Sequence, residues 1–257
     1  MIFLAIAAMS IQSPVQSQDI TARLASTNVA VRTEAVAKLD RDVATDSSIL
    51  QDPLIQDPLI TLLESENARI AQNLDTLQRT GKSELVEGYG EYYAQVIGLA
   101  NRVRTLGTLG NSPQLDRLRR ALVFGTYNPD SPFVTDLARE GERIVPLVLE
   151  LSGHQAGPEK WNAYGLIGEM VAMHGAGQLN APLTPSSAAS LRAAARAGLL
   201  DPAADVRGWA IQAVMKARDR EAIPMLQRLA ESDPDVDRGS AKVSVRSQAA
   251  EALRRIR

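Results

Sequence analysis

The 257-residue sequence contains no cysteine. This excludes disulfides, thiolate metal sites, a cysteine nucleophile and lipid attachment through an N-terminal cysteine. It leaves the compartment open, because exported proteins can also lack cysteine. Aromatic residues are scarce at 4%, so the hydrophobic 45% is mostly Ala, Leu, Val and Ile. Small aliphatic side chains suit close helix–helix packing better than a β-sandwich, which favours β-branched and aromatic residues. A surplus of positive charge is also missing, the formal net charge being −2. A domain that grips a phosphate backbone carries a marked excess of Lys and Arg, so no nucleic-acid partner is expected. Arg117, Arg119 and Arg120 stand close together; they read either as a local basic face or, more simply, as a solvated helix face. No Gly-x-Ser-x-Gly elbow, phosphate-binding loop or dinucleotide fingerprint occurs. Gly81-Lys82-Ser83 mimics the tail of a phosphate loop but lacks its upstream glycine and a preceding strand.

The first residues, Met1 to Ile11, are apolar apart from Ser10, and small polar residues follow from Ser13 to Gln18. An apolar run of about 7–15 residues before small residues is the pattern of a secretory signal peptide, and the run is too short for a stable membrane span. The expectation is a signal peptide over 1–17 and a mature chain over 18–257, periplasmic or secreted. If the N-terminus is not cleaved, its apolar face joins the core of a first helix and the protein is cytoplasmic. No Lys or Arg precedes the run, which departs from the usual pattern.

What is present in quantity is a repeat. Val31-Arg32 is followed by Ala35 and Leu39, Val206-Arg207 by Ala210 and Val214, and Val245-Arg246 by Ala249 and Leu253. Val, Ala and Leu at this spacing lie on one helical stripe, with a small residue in the middle where a neighbouring helix can approach. Asp201-Pro202 and Asp233-Pro234 precede two of the stripes and suit a turn or helix start. Ile223, Leu226 and Leu229 or Ala230 form another stripe between them, so the unit is helix, turn, helix, turn. Arg207 and Arg246 are 39 residues apart, close to the period of about 40–47 of helical repeats. Ile144-Val145-Pro146-Leu147-Val148 and Ala222-Ile223-Pro224-Met225-Leu226 share a proline at the same place, offset by twice that period.

The stretch from about Asp201 to Arg257 resembles HEAT repeats, particularly the short bacterial kind grouped with the phycobilisome-lyase-like repeats. The residues that carry this are Asp205-Val206-Arg207, Ala210, Val214, Asp219, Glu221-Ala222-Ile223-Pro224, Leu226, Leu229, Asp233-Pro234 and Val245-Arg246. Asn28 to Leu39 resembles a further second helix of the same kind, and Arg238 to Val243 reads as a loop insertion. The resemblance implies an all-α solenoid of stacked antiparallel helix pairs. It also implies a structural role for Arg32, Arg207 and Arg246, each reaching an acidic residue at a neighbouring turn. The physics agrees: an arginine at a helix start opposes the macrodipole and needs a carboxylate nearby.

The clearest repeats span 140–257, and the middle, about 40–130, is less regular. Gln51-Asp52-Pro53-Leu54-Ile55 is repeated at once as Gln56-Asp57-Pro58-Leu59-Ile60, and two prolines in that register predict an interrupted helix. Helices are expected over 61–79, 84–106, 115–124, 133–151, 160–173 and 187–199, with glycines in or near the breaks.

Candidate chemistry is thin. His154 and His174 are the only histidines. With Glu150 and Glu169 they could in principle hold a metal, but no HExxH spacing supports one, and no metal, cofactor or catalytic residue is expected. HEAT-type deoxyhypusine hydroxylases use His-Glu dipeptides; here Gln155 follows His154 and Gly175 follows His174, so that activity is excluded. Tyr89, Tyr92 and Tyr93 form one aromatic stripe with Val96, and tyrosines are enriched at interfaces. They are the candidate binding patch, the alternative being rings packed on a neighbouring helix. Trp161 and Trp209 read as core or edge residues. The functional expectation is a non-catalytic scaffold or adaptor that presents a repeat surface to a protein partner in the cell envelope. The alternative is a lyase-like enzyme, or enzyme subunit, acting on a bound protein.

Overall fold

The computed structural model describes residues 14–125, 132–235 and 243–256. Among these the regular structure is helical, with no strand. The chain forms two compact units, Met1–Leu122 and Val123–Arg257. The apolar run of 1–13 and residues 238–242 of the loop insertion lie outside the described residues.

The first unit holds α1 (Pro14–Leu24), α2 (Val29–Thr45), α3 (Pro53–Thr80), α4 (Tyr89–Leu106) and most of α5 (Pro113–Gly125). Helix α1 packs on α2 and α3, and α4 packs on α2 and α3. This makes two layers, α1 with α3 and α2 with α4. Asn28 starts α2, its side chain accepting from the Ala30 amide at 2.9 Å, a cap that stabilises by about 1 kcal/mol. The expected stripe then buries Ala35 and Leu39, with Val36 and Val43 beside them.

The duplicated Asp-Pro segment departs from expectation. Asp52 caps α3 by accepting from the Leu54 amide, Pro53 takes the first turn, and the helix continues straight through Pro58 for 28 residues. An interior proline removes one hydrogen bond and crowds the carbonyl four residues back. That carbonyl belongs to Leu54, and the Thr21 hydroxyl of α1 donates to it at 2.7 Å. A neighbouring helix thus supplies the donor that proline lacks, while Ile55, Leu59, Ile60 and Leu63 bury the opposite stripe. Helix α4 begins later than expected, at Tyr89, after a left-handed Gly88.

The second unit contains α6 (Pro132–Ala138), α7 (Val145–Ser152), α8 (Pro158–Gly175), α9 (Pro185–Gly198), α10 (Ala204–Lys216), α11 (Ile223–Ser232) and α12 (Val245–Ile256). Helix α8 packs on α6, α7, α9 and α10, and α12 packs on α10 and α11. Helices α8, α10 and α12 therefore lie side by side as one layer. Single 3₁₀ turns, Gly141–Ile144 and Arg220–Ala222, lead into α7 and α11, placing Pro146 and Pro224 in the first turn of each. The two proline segments matched in the sequence are the same structural corner.

The single helix expected over 133–151 is broken at Gly141. Its φ is +61°, and a Cβ there would lie 1.9 Å from the Ala181 carbonyl oxygen. The break frees Glu142 to accept from the Thr184 amide at 2.9 Å and the Ser187 hydroxyl at 2.6 Å, at the start of α9. Those bonds, the Ser187 one first, hold the Glu142 carboxyl below its ordinary range.

Arginines tie the turns together. Arg207 on α10 is 7% exposed. Its Nε and Nη2 donate to the two carboxylate oxygens of Asp233, just past α11, at 2.7 and 2.9 Å. Its Nη1 donates backward to the carbonyls of Asp201 and Pro202. Arg246 donates to the Asp233 carbonyl at 2.6 Å, so one aspartate receives arginines from both α10 and α12. Arg196 reaches Asp219 at 2.7 Å in the turn before. Arg32 follows the same plan in the first unit, donating to the Ser26 carbonyl behind it and to Glu66 ahead. Its acidic partner stands within α3 rather than in a turn.

Candidate functional site

The tyrosine stripe at the start of α4 faces α3. Tyr89 and Tyr92 are 5% and 3% exposed, and Tyr93 is half-buried. Their hydroxyls converge on neighbouring α3 residues. Glu66, 1% exposed, accepts from Tyr89 at 2.7 Å, from Tyr92 at 2.9 Å and from Arg32 Nη2 at 2.9 Å. The Tyr93 hydroxyl donates to Asn67, whose amide donates to the Ala121 carbonyl of α5 at 2.9 Å. Tyr89 meets Tyr92 edge-on at 5.8 Å and stacks on Tyr93 at 6.2 Å, while the Arg69 guanidinium lies 5.5 Å from the centre of the Tyr89 ring. The stripe therefore anchors α4 to α3, and only its edges border a surface groove.

Burial, then the negative Glu66 beside them, keeps these phenols protonated. Tyr92 is pushed up to about 12, and Tyr89 and Tyr93 are raised further. For Arg32 burial is the strongest single influence and opposes its charge, yet Tyr92 and Glu66 together raise it above its ordinary range. A buried carboxylate is tolerated where donors and a positive charge answer it, and Glu66 has two phenol donors and the Arg32 guanidinium.

The residues considered for a metal do not assemble. His154 sits between Glu159 at 3.2 Å and Glu150 at 3.6 Å. His174 is at the end of α8, and Glu169 is committed to Lys216. Among the described residues no group of three or more His, Cys, Asp or Glu is placed to hold a metal ion. Arg117 bridges Glu64 and Asp57, and Arg119 pairs with Asp116, so these arginines do not form a free basic face. No described helix is long and apolar enough to cross a membrane.

The second unit carries a groove of about 340 Å³ over α8, α10 and α12. The half-buried Trp209 ring lies across Gly165 of α8, and the Gln248 amide of α12 lies against Gly208 of α10. Gln212 extends toward Gln248, their side-chain amides 3.5 Å apart. Asp205, Lys216 and Asp235 stand among the lining, Lys216 paired with Glu169. The arrangement presents one aromatic face and a pair of amides, each able to donate and accept. Sequence reading placed Trp209 beside the repeat stripe but gave no sign of this groove, because its parts come from three helices.

No family model matches the chain, and no curated protein matches it. Solved structures align along its length at low similarity. A designed armadillo repeat protein in complex with the peptide (KR)4 is 13% identical, covering 93% of this chain and 98% of its own, with a TM-score of 0.44. Computationally designed armadillo repeat proteins for modular peptide recognition align over 92% of this chain and 98% of their own, at 15% identity and a TM-score of 0.36. The chain is an all-α helical-repeat protein on the strength of its own stacked helices.

Proposed function

We propose that this chain is a non-catalytic, HEAT-like repeat scaffold that holds a partner protein by an extended segment laid along α8, α10 and α12. The observation that carries the reading is the groove itself. Trp209 offers an apolar face for one side chain, and Gln212 and Gln248 offer donors and acceptors suited to a peptide main chain. Its volume of about 340 Å³ lies at the small end of ligand sites, enough for a few residues rather than a large cofactor. The lining chemistry is hydrogen bonding and stacking, with Lys216 neutralised by Glu169. The apolar run at 1–11, followed by small polar residues, supports a place in the cell envelope.

The test is selection of 12-residue random peptides on the full chain, followed by titration of the selected peptides. Trp209→Ala should weaken binding by about 2 kcal/mol, as expected of a central aromatic anchor. Gln212 and Gln248 side-chain amide resonances should shift on binding. Selected peptides that bind Trp209→Ala as tightly as the parent, and leave both amides unmoved, would place the binding surface elsewhere.

A further inference from the structure

We propose a second docking site, the groove between α2 and α4, for a polypeptide segment carrying Lys or Arg beside an apolar side chain. The groove has a volume of about 320 Å³ and takes its apolar lining from Val29, Ala37 and Val86 with the edges of Tyr89 and Tyr92. Val86 is 57% exposed, a large apolar side chain held out at the rim. Glu87 and Glu91 also line it, and no Lys or Arg does. Both glutamates are exposed, and neither carboxylate makes an ion pair or side-chain hydrogen bond in the described residues. Of the nearby cations, Arg32 pairs with Glu66, Lys38 pairs with Asp42 and Arg69 lies over the Tyr89 ring; Arg41 of α2 is exposed and does not line the groove.

Glu91 lies in the first turn of α4, where negative charge favours the helix dipole. That accounts for a glutamate at the helix start. It does not account for two carboxylates without a cationic partner beside an apolar trough bordered by the edges of two tyrosine rings. Charge complementarity selects the occupant: a cation for the glutamates and an aliphatic group for Val29, Ala37 and Val86. The site shares no residue with the α8–α10–α12 groove, and each can fail without the other.

The experiment is fluorescence anisotropy on the full chain, with a labelled octapeptide of alternating lysine and leucine as probe. Octapeptides of alternating glutamate–leucine and lysine–serine serve as controls. The lysine–leucine probe should bind saturably, the lysine–serine probe more weakly and the glutamate–leucine probe not at all. Glu87→Gln with Glu91→Gln should weaken the probe about tenfold, the loss expected of two exposed pairs, and Glu87→Lys with Glu91→Lys should abolish binding. Asp19→Asn with Glu231→Gln, exposed carboxylates outside the groove, should leave it unchanged. The proposal is overturned if the probe does not saturate, if the glutamate–leucine peptide binds as well, or if the remote pair of substitutions weakens binding as much as the groove pair.

Discussion

At the scale of the residue, the protein relies on arginines whose charges are answered from two directions. Arg207 forks onto Asp233 and reaches back to two carbonyls, with side-chain exposures of 9% and 1% for the pair. A buried pair is weak evidence of net stabilisation, but removing one partner leaves the other charge buried and unanswered, at about 3–5 kcal/mol. Arg207→Ala should therefore destabilise the second unit by about that amount, while the double change Arg207→Met with Asp233→Leu should recover much of the loss. Urea unfolding with helicity as readout measures both. A single-variant loss below about 1 kcal/mol would mean that water satisfies Asp233. The motif that supplies these arginines was legible in the sequence, because Val-Arg-x-x-Ala occurs three times, at Val31, Val206 and Val245. Glu66 was not legible. A lone glutamate on a helix looks like any solvated one, and its three donors come from α2 and α4.

At the scale of the element, local rules placed most helices and failed where a distant residue overruled them. Proline inside a helix is a stop signal by itself, yet α3 runs through Pro58 because Thr21 donates to the Leu54 carbonyl. No sequence window around Pro58 contains Thr21. The opposite failure occurs at Gly141, where an apolar pattern suggests one helix and a close approach to Ala181 imposes a break. The Gly198 position is similar, since a Cβ there would sit 2.6 Å from the Tyr164 ring. Thr21→Val keeps the shape and β-branching of the side chain while deleting the donor. It should lower stability by about 0.5–1 kcal/mol, the net contribution of one hydrogen bond, because the bond lies at an exposed site where water can partly replace the hydroxyl. In a Pro58→Ala background the restored amide can serve Leu54, so Thr21→Val should become nearly neutral. The cycle is read by thermal unfolding of the four proteins. Equal effects of Thr21→Val in both backgrounds would separate the threonine from the proline.

At the scale of the whole molecule, the two units differ in how they hold their aromatic residues, and alkaline pH should reveal it. Tyr89, Tyr92 and Tyr93 lie together in the first unit with their phenols raised, chiefly by burial, whereas the second unit has Tyr164, pushed up to about 12 by burial and by Asp201. A phenol whose folded-state value is raised favours the folded protein as long as it stays protonated. Its contribution is complete below about pH 10, the unfolded value, and is lost as pH rises through the folded values, from about 12 for Tyr92. Each ionisation in the first unit would also set a phenolate against the buried Glu66. Between pH 10 and 12 the first unit should lose stability faster than the second, with three raised phenols against one among the described residues. Tyrosinate absorbance at 295 nm should lag behind that of free tyrosine and then rise together with loss of helicity. Pulsed proteolysis read by mass spectrometry should find new cleavages within 14–122 at lower pH than within 132–256. Glu66→Gln removes the neighbouring charge, so the phenols should ionise earlier in any molecule that still folds. Tyrosinate that forms near pH 10 with helicity intact would show the three hydroxyls to be open to water, and would return the stripe to the surface as a binding patch.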